Sequence, residues 1–468
     1  MRGSVAARYR NSLRPRVLSR RHRRRFLQRR LSAGVDLRGA ASRLSSLSLW
    51  PCLVPCQSGR QLSEGDLGNG AALQHRGTEP GNRNRASGCP GAYRRVAAGF
   101  APVKTTEVRL GSRSYPVFVG EGILARLSGL LTRLGFSSAP VVVSNPRVFK
   151  LHGDSLRRSL EAAYGPAPVV FIGDGERFKN IASLQKVYQG LIRAGADRRS
   201  WVLALGGGVV GDLAGFAAAT FVRGIPYVNV PTTLLAQVDS AIGGKVGINL
   251  KQGKNLIGAF HQPSAVLSDI GTLRTLPSRE LASGLYEVLK CGVIRSEKLI
   301  LYIERNLQAI LSASPSALEH VVLEASRIKA AVVSSDEMEA KQRMILNYGH
   351  TVGHALEAAT GYRRFKHGEA VAWGMMAAVG FGRELGLLEE KSAQRLLRLI
   401  HRVTKLPTLR GISPGRVWNA LGRDKKFAGG RIRMVLLPRL GAAEIRNDID
   451  PANLKRFLKN FIESSSNI

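Results

Sequence analysis

Apolar positions fall in short, near-continuous blocks through the middle of the chain and at helical spacing through its second half. Val108–Leu110 and Tyr115–Val119 flank the polar segment Gly111–Ser114, which predicts a hairpin. Val141–Ser144, Val169–Ile172, Trp201–Leu205 and Tyr227–Val230 are brief apolar runs of the kind buried on both faces of a parallel sheet. Leu156–Tyr164 and Ile181–Ala194 lie between them with helical period. After about Pro277 the period changes. Glu280–Ile294, Glu297–Leu311, Ala317–Ser334, Gly349–Thr360, Glu369–Leu385 and Glu389–Val403 read as helices, followed by a short strand at Arg431–Leu437 and a last helix at Asp450–Glu463.

Strands alternating with helices require crossover connections and hence a parallel sheet. The expected fold class is an α/β N-terminal domain over residues 103–276, with a mostly parallel, Rossmann-like sheet. A mainly α-helical domain follows over 277–468, and the active site lies in the cleft between them. No internal repeat is present.

Residues 1–102 break this pattern and are expected to form a disordered basic extension. The first hundred residues hold 20 Arg, no Lys, no Ile and four acids, Asp36, Glu64, Asp66 and Glu79. A basic tail, a transit peptide and upstream translation outside the working protein all fit such a stretch. Upstream translation is preferred because a GC-rich reading frame lacks Lys and Ile in this way, and a transit peptide comes second. The motifs below all lie beyond it, so it is expected to be dispensable for chemistry.

Net charge changes the picture of the substrate. The chain carries +37 over 468 residues. A positive field of that size draws anions. No nucleic-acid motif accompanies it, so nucleic acid is not expected as a partner. No apolar run approaches the roughly twenty residues that cross a bilayer, so no membrane partner is expected. Three of the four cysteines, Cys52, Cys56 and Cys89, lie in the N-terminal stretch; Cys291 stands alone in the body, which points to a reducing compartment. The cytoplasm is expected, or a plastid if residues 1–100 are a transit peptide.

Candidate chemistry gathers in three places. Gly206-Gly207-Gly208-Val209-Val210-Gly211-Asp212 follows a strand and opens a helix, where backbone N–H groups can hold a pyrophosphate. It is not a clean dinucleotide fingerprint, and a tight strand–helix turn explains it equally well. Asp174-Gly175-Glu176 and Thr232-Thr233 also sit at strand ends, and together the three suggest a dinucleotide site. Second, His350 and His354 lie one helical turn apart, with His367 at the start of the next helix and Glu287 on an earlier one. A carboxylate and two imidazoles would leave an open metal position; the spacing does not choose two histidines from three. Third, Arg223, Lys245, Lys254, Lys290, Lys329 and Arg343 fall inside Gly-rich or His-containing segments, and as a set suggest a doubly charged anionic substrate.

The runs GGGVVGDLAGFAAATFVRG, VPTTLLAQVDSAIGGKVGINLKQGKNLIGAFHQP, LPSRELASGLYEVLK and NYGHTVGHALEAATGY, with KHGEAV, resemble 3-dehydroquinate synthase from about Val108 to Leu437. The resemblance implies conversion of 3-deoxy-D-arabino-heptulosonate 7-phosphate (DAHP), a small anionic sugar phosphate, to 3-dehydroquinate and phosphate. NAD is used transiently: oxidation, β-elimination of phosphate, reduction and an intramolecular aldol closure follow in turn. The implied metal ligands, for zinc or cobalt, are Glu287, His350 and His367. The implied NAD contacts are Asp174, Gly175, Glu176, Lys179, Gly208, Val209, Val210, Gly211, Asp212, Thr232, Thr233, Lys245, Lys254, Thr272, Leu273, Arg274 and Thr275. Lys245, Lys290, Lys329, Arg343, Asn347 and His354 are the implied catalytic groups, with Arg223, Asp239, Asn255 and Lys426 binding substrate. Lys425 beside Lys426 leaves that last choice open. Val246 follows Lys245 where the family commonly has Thr; it replaces no charged group. A homodimer is expected. The alternatives are another NAD-dependent sugar-phosphate cyclase, a related metal-dependent alcohol dehydrogenase, and a non-catalytic binder of anions or nucleic acid. The set Lys245, Lys329, Arg343 and Asn347 favours a substrate that carries a carboxylate.

Overall fold

Seven strands form one sheet in this computed structural model, which describes residues 102–422 and 432–466. Expectations placed on residues 1–101 and on Lys425 and Lys426 lie outside the described residues. The strands are β1 (Lys104–Val108), β2 (Tyr115–Gly120), β3 (Val141–Ser144), β4 (Val169–Phe171), β5 (Val202–Gly206), β6 (Tyr227–Pro231) and, further on, β9 (Ala265–Asp269). Their order is β1-β2-β9-β6-β5-β3-β4. Only the expected hairpin, β1 with β2, is antiparallel; every other pairing in this sheet is parallel. Between β6 and β9 the chain forms a separate antiparallel hairpin, β7 (Lys245–Leu250) and β8 (Gly253–Phe260). The expected elements omit this hairpin because most of β8 is solvent-exposed, so its apolar residues never alternate against a core.

Helices α1 (Leu127–Arg133) and α2 (Pro146–Tyr164) cover one face of the sheet, and α3 (Ile181–Arg193) and α4 (Gly208–Thr220) the other. Alternation along β5 divides the two cores: Leu203 and Leu205 face the first, Val202 and Ala204 the second. Helix α2 begins ten residues before the apolar period that announces it. Pro146 occupies its first turn and Asn145 accepts the Val148 N–H at 2.8 Å, so the cap starts a helix whose buried stripe becomes apolar only at Leu156.

The second half is built on α5 (Ser278–Arg295), α6 (Glu297–Leu311), α7 (Pro315–Ser335), α8 (His350–Ala359), α9 (His367–Glu384), α10 (Glu390–Val403), α11 (Pro414–Gly422) and α12 (Pro451–Ser464). Strand β10 (Ile432–Arg439) has a partner, β11 (Ala442–Ile449), whose polar sequence conceals it. Helix α5 is buried along nearly its whole length and packs against α6, α7 and α9. Helix α7 lies against β1 and β2. One apolar core joins Val108, Tyr115 and Val117 of the sheet edge to α5, so sheet and helices are packed into a single unit.

Candidate active site

The carboxyl ends of the parallel strands meet where the strand order reverses, between β3 and β5, the position at which open α/β sheets bind ligands. Gly207 precedes α4, and no side chain caps that helix, so its first N–H groups face outward with the positive end of the helix dipole. Around it lie the expected cofactor residues. Asp174 follows β4 and accepts a 3.3 Å bond from Asn145 Nδ2. Glu176 accepts from Asn249 Nδ2 at 2.7 Å. Lys179, nearly buried, pairs with Asp212 and donates at 2.5 Å to Asn255 Oδ1, tying α4 to the β7–β8 hairpin. Burial pushes the Asp212 carboxyl up, against the pull of Lys179. Thr232 and Thr233 lie at the end of β6, and Thr233 Oγ1 accepts the Ala236 N–H at 3.2 Å. Residues 270–275 form a 3₁₀ turn in which the side chains of Thr272 and Leu273 are buried and Arg274 pairs with Glu121 at 2.7 Å. The uncapped helix end, with Thr233 beside Gly207 and Lys179 on Asp212, fits a dinucleotide phosphate.

Three segments bring the metal candidates together. Glu287 lies in the middle of α5, wholly buried. His350 starts α8, where Gly349 in the left-handed region turns the chain, and His367 starts α9. His350 Nε2 lies 3.6 Å and His367 Nε2 3.5 Å from Glu287 Oε1. Each ring is held from its other side: His350 Nδ1 bonds the Tyr348 carbonyl at 3.2 Å, and His367 Nδ1 bonds Glu357 Oε2 at 3.3 Å. That arrangement sets the proton on Nδ1 and turns the Nε2 lone pair inward. Glu287 Oε1 has no hydrogen-bond partner among the described residues, while Oε2 is held by Lys290 Nζ at 2.5 Å. A buried carboxylate whose Oε1 lacks a hydrogen-bond partner and lies opposite two imidazole lone pairs fits a divalent cation. His354 belongs to the same group: ligand atoms of His350, His354 and His367 all lie within 4.8 Å of one another. Burial, with Lys290 nearby, holds His350 well below its ordinary pKa, which keeps it neutral. For His367 burial acts the same way but is outweighed by Glu357, and its pKa is raised.

Next to this cluster stands a row of buried cations. Asp239, in a turn wound as a π-helix, accepts from Lys329 Nζ at 2.5 Å on its carboxylate and 2.7 Å on its carbonyl. Lys290 Nζ lies 3.5 Å from the same carboxylate oxygen. Burial disfavours the Asp239 anion, but Lys329 and then Lys290 outweigh it and hold its pKa well below the usual range. Arg343 is buried and donates to the carbonyls of Glu337 and, at 3.0 Å, Gly243. Gly243 has φ +103°, and a Cβ there would overlap Arg343, so this turn must be glycine. Two residues on, Lys245 pairs with Glu339, which also accepts from Asn347 Nδ2 at 3.0 Å. Glu339, at φ 57°, was absent from the expected set. It lies in an acid-rich loop whose sequence carries no motif, and only the fold brings its carboxylate to Lys245. Lys254 reaches Glu357 at 3.2 Å. Arg223 sits in a left-handed turn after α4 at φ 72° and makes no hydrogen bond or ion pair among the described residues.

Two family descriptions match contiguous parts of the chain: 3-dehydroquinate synthase N-terminal over residues 169–283 and 3-dehydroquinate synthase C-terminal over 284–427. The chain is 47% identical over 364 residues to a 3-dehydroquinate synthase of Pelotomaculum thermopropionicum, covering 77% of this chain and 97% of the relative. Against the enzyme of that name from Symbiobacterium thermophilum the identity is 48% over 347 residues, covering 74% and 97%. Among solved structures, 2-epi-5-epi-valiolone synthase from Streptomyces hygroscopicus, with NAD+ and Zn2+ bound, superposes with a TM-score of 0.68 at 29% identity, covering 79% of this chain and 99% of its own. A 2-deoxy-scyllo-inosose synthase complexed with carbaglucose-6-phosphate, NAD+ and Co2+ gives 0.69 at 27%, covering 77% and 100%.

Proposed function

The chain belongs to the 3-dehydroquinate synthase family, and from that premise we propose how its own residues divide the work. The reaction converts DAHP to 3-dehydroquinate and inorganic phosphate in the shikimate pathway, toward chorismate and the aromatic amino acids. Its cofactors are NAD and a divalent metal ion, zinc or cobalt. When bound, NAD supplies a reversible oxidant and the metal a Lewis acid beside a substrate hydroxyl.

We assign the metal to Glu287, His350 and His367, with His354 facing the substrate. The observation that carries the assignment is the buried Glu287 carboxylate, whose Oε1 has no hydrogen-bond partner among the described residues and lies opposite both Nε2 atoms. Lys290, Lys329, Arg343, Lys245 and Asn347 seat the anionic groups of the substrate. Lys290, Lys329 and Arg343 are buried and Asn347 is partly buried, so they orient it away from water, where each charge acts strongly; Lys245 is exposed and stands at the rim. Asp239 fixes the ammonium groups of Lys290 and Lys329 and keeps them from repelling one another. Asp174, Glu176, Lys179, Lys254 and the uncapped end of α4 hold NAD. Arg223, Asn255 and Lys426 complete the substrate contacts.

The NAD-binding part is assigned to 103–276 and the metal- and substrate-binding part to 277–468. A cytoplasmic homodimer without nucleic-acid partners is the form we propose. No described helix is long and apolar enough to cross a membrane. Exposed Leu256, Ile257 and Phe260 on β8 support self-association.

The test is purified protein with DAHP, zinc and substoichiometric NAD. Phosphate should be released over many turnovers per NAD, with no lasting NADH absorbance. NADH accumulating in step with product would make the protein a dehydrogenase instead.

A further inference from the structure

Glu357 lies on α8, is almost fully buried, and uses its two oxygens on two different sites. Oε2 is 3.3 Å from Nδ1 of His367, whose Nε2 faces Glu287. Oε1 accepts from Nζ of Lys254, on β8, at 3.2 Å. The Lys254 ammonium also lies 4.3 Å from the Tyr362 ring centroid. Tyr362 is fixed just past the end of α8, its N–H bonded to the Glu357 carbonyl at 2.7 Å. Lys254 is thus held between a carboxylate and an aromatic face on one short segment. Glu357 lies inside the run NYGHTVGHALEAATGY but is not among the site residues that the resemblance implies.

We propose that Glu357 is a positioning residue for both cofactors, orienting the metal ligand His367 with one oxygen and the cofactor lysine Lys254 with the other. A buried carboxylate can serve both because each partner brings an N–H donor, and together they satisfy its charge. Removing it frees the His367 ring to rotate and leaves Lys254 facing only Tyr362. The inference rests on the assignment of His367 to the metal and Lys254 to NAD.

Binding, not turnover, tests it. Zinc affinity is measured by chelator competition, NAD affinity by calorimetry and folding by thermal melting, for the full-length wild type, Glu357→Ala and Glu357→Gln. In Glu357→Ala we expect zinc affinity to fall by about 10–100-fold, the usual loss when such an outer partner is removed, together with weaker NAD binding. In Glu357→Gln the amide oxygen still accepts from His367 while its NH₂ faces the Lys254 ammonium. That variant should recover most of the zinc affinity and keep the NAD defect. Wild-type zinc affinity in a folded Glu357→Ala overturns the proposal. If Glu357→Ala does not fold, Glu357→Gln decides alone, and wild-type NAD affinity there overturns it. A wild-type protein that takes up no zinc sinks the ligand assignment instead, a different result from a wild type and variants that bind zinc alike.

Discussion

At the scale of single residues, the site is a set of charges that tolerate burial only because each has a partner. Asp239 is the clearest case, one carboxylate between Lys329 and Lys290. Replacing it with Asn leaves the buried Lys329 ammonium without its carboxylate, beside a Lys290 held by Glu287 alone, and the expected loss is on the order of 3 kcal/mol, the scale for a broken buried pair. Thermal and urea melts measure it; a change within error would mean that solvent reaches both lysines. The sign with pH follows from the depressed Asp239 pKa. Its contribution is fully present above about pH 4, where an unfolded Asp is ionised, and is lost only as pH falls through the lower native value. The metal ligands give a second prediction. Glu287→Ala, His350→Ala and His367→Ala should each lose the metal on desalting, because two remaining ligands cannot define the coordination geometry. His354→Ala should keep it. Elemental analysis reads all four, and metal lost from His354→Ala but kept in His367→Ala would reverse the choice of ligand.

Helix packing sets the distances between those residues. His350 and His367 open α8 and α9, and their rings approach to 5.2 Å because the two helices touch backbone to backbone. A Cβ on Gly374 of α9 would overlap the Gly349 carbonyl oxygen. Gly374→Ala therefore has to push α9 away from α8, at about 1–3 kcal/mol, the range for overpacking. It should also weaken zinc binding, although residue 374 is no ligand. A folded variant with unchanged zinc affinity would mean that the helices separate without moving the histidines. The β7–β8 hairpin carries Lys245 and Lys254, yet its exposed second strand has no apolar alternation to announce it.

For the whole molecule, the described fold starts with β1 at Lys104, and its sheet edge is already packed against α7. A chain beginning at Val103 should match the full-length protein in melting temperature and turnover. A drop in either would give the basic extension a role in the fold or its chemistry. The sequence by itself determined most of the strands and helices, though not β7, β8, β9, β11, α1 or α11, together with the glycine turn at a strand end and the histidines, because those are local patterns: periodicity, capping and spacing within a few residues. Its long motifs determined the family. Tertiary structure decided what local pattern cannot encode: that Glu287, 63 residues before His350, faces both imidazoles, that Glu339 closes on Lys245, and that Glu357 spans His367 and Lys254. These are meetings of side chains from separate elements, set by how helices and sheet pack around shared cores. A buried acid reads like any surface acid until that packing removes the water around it.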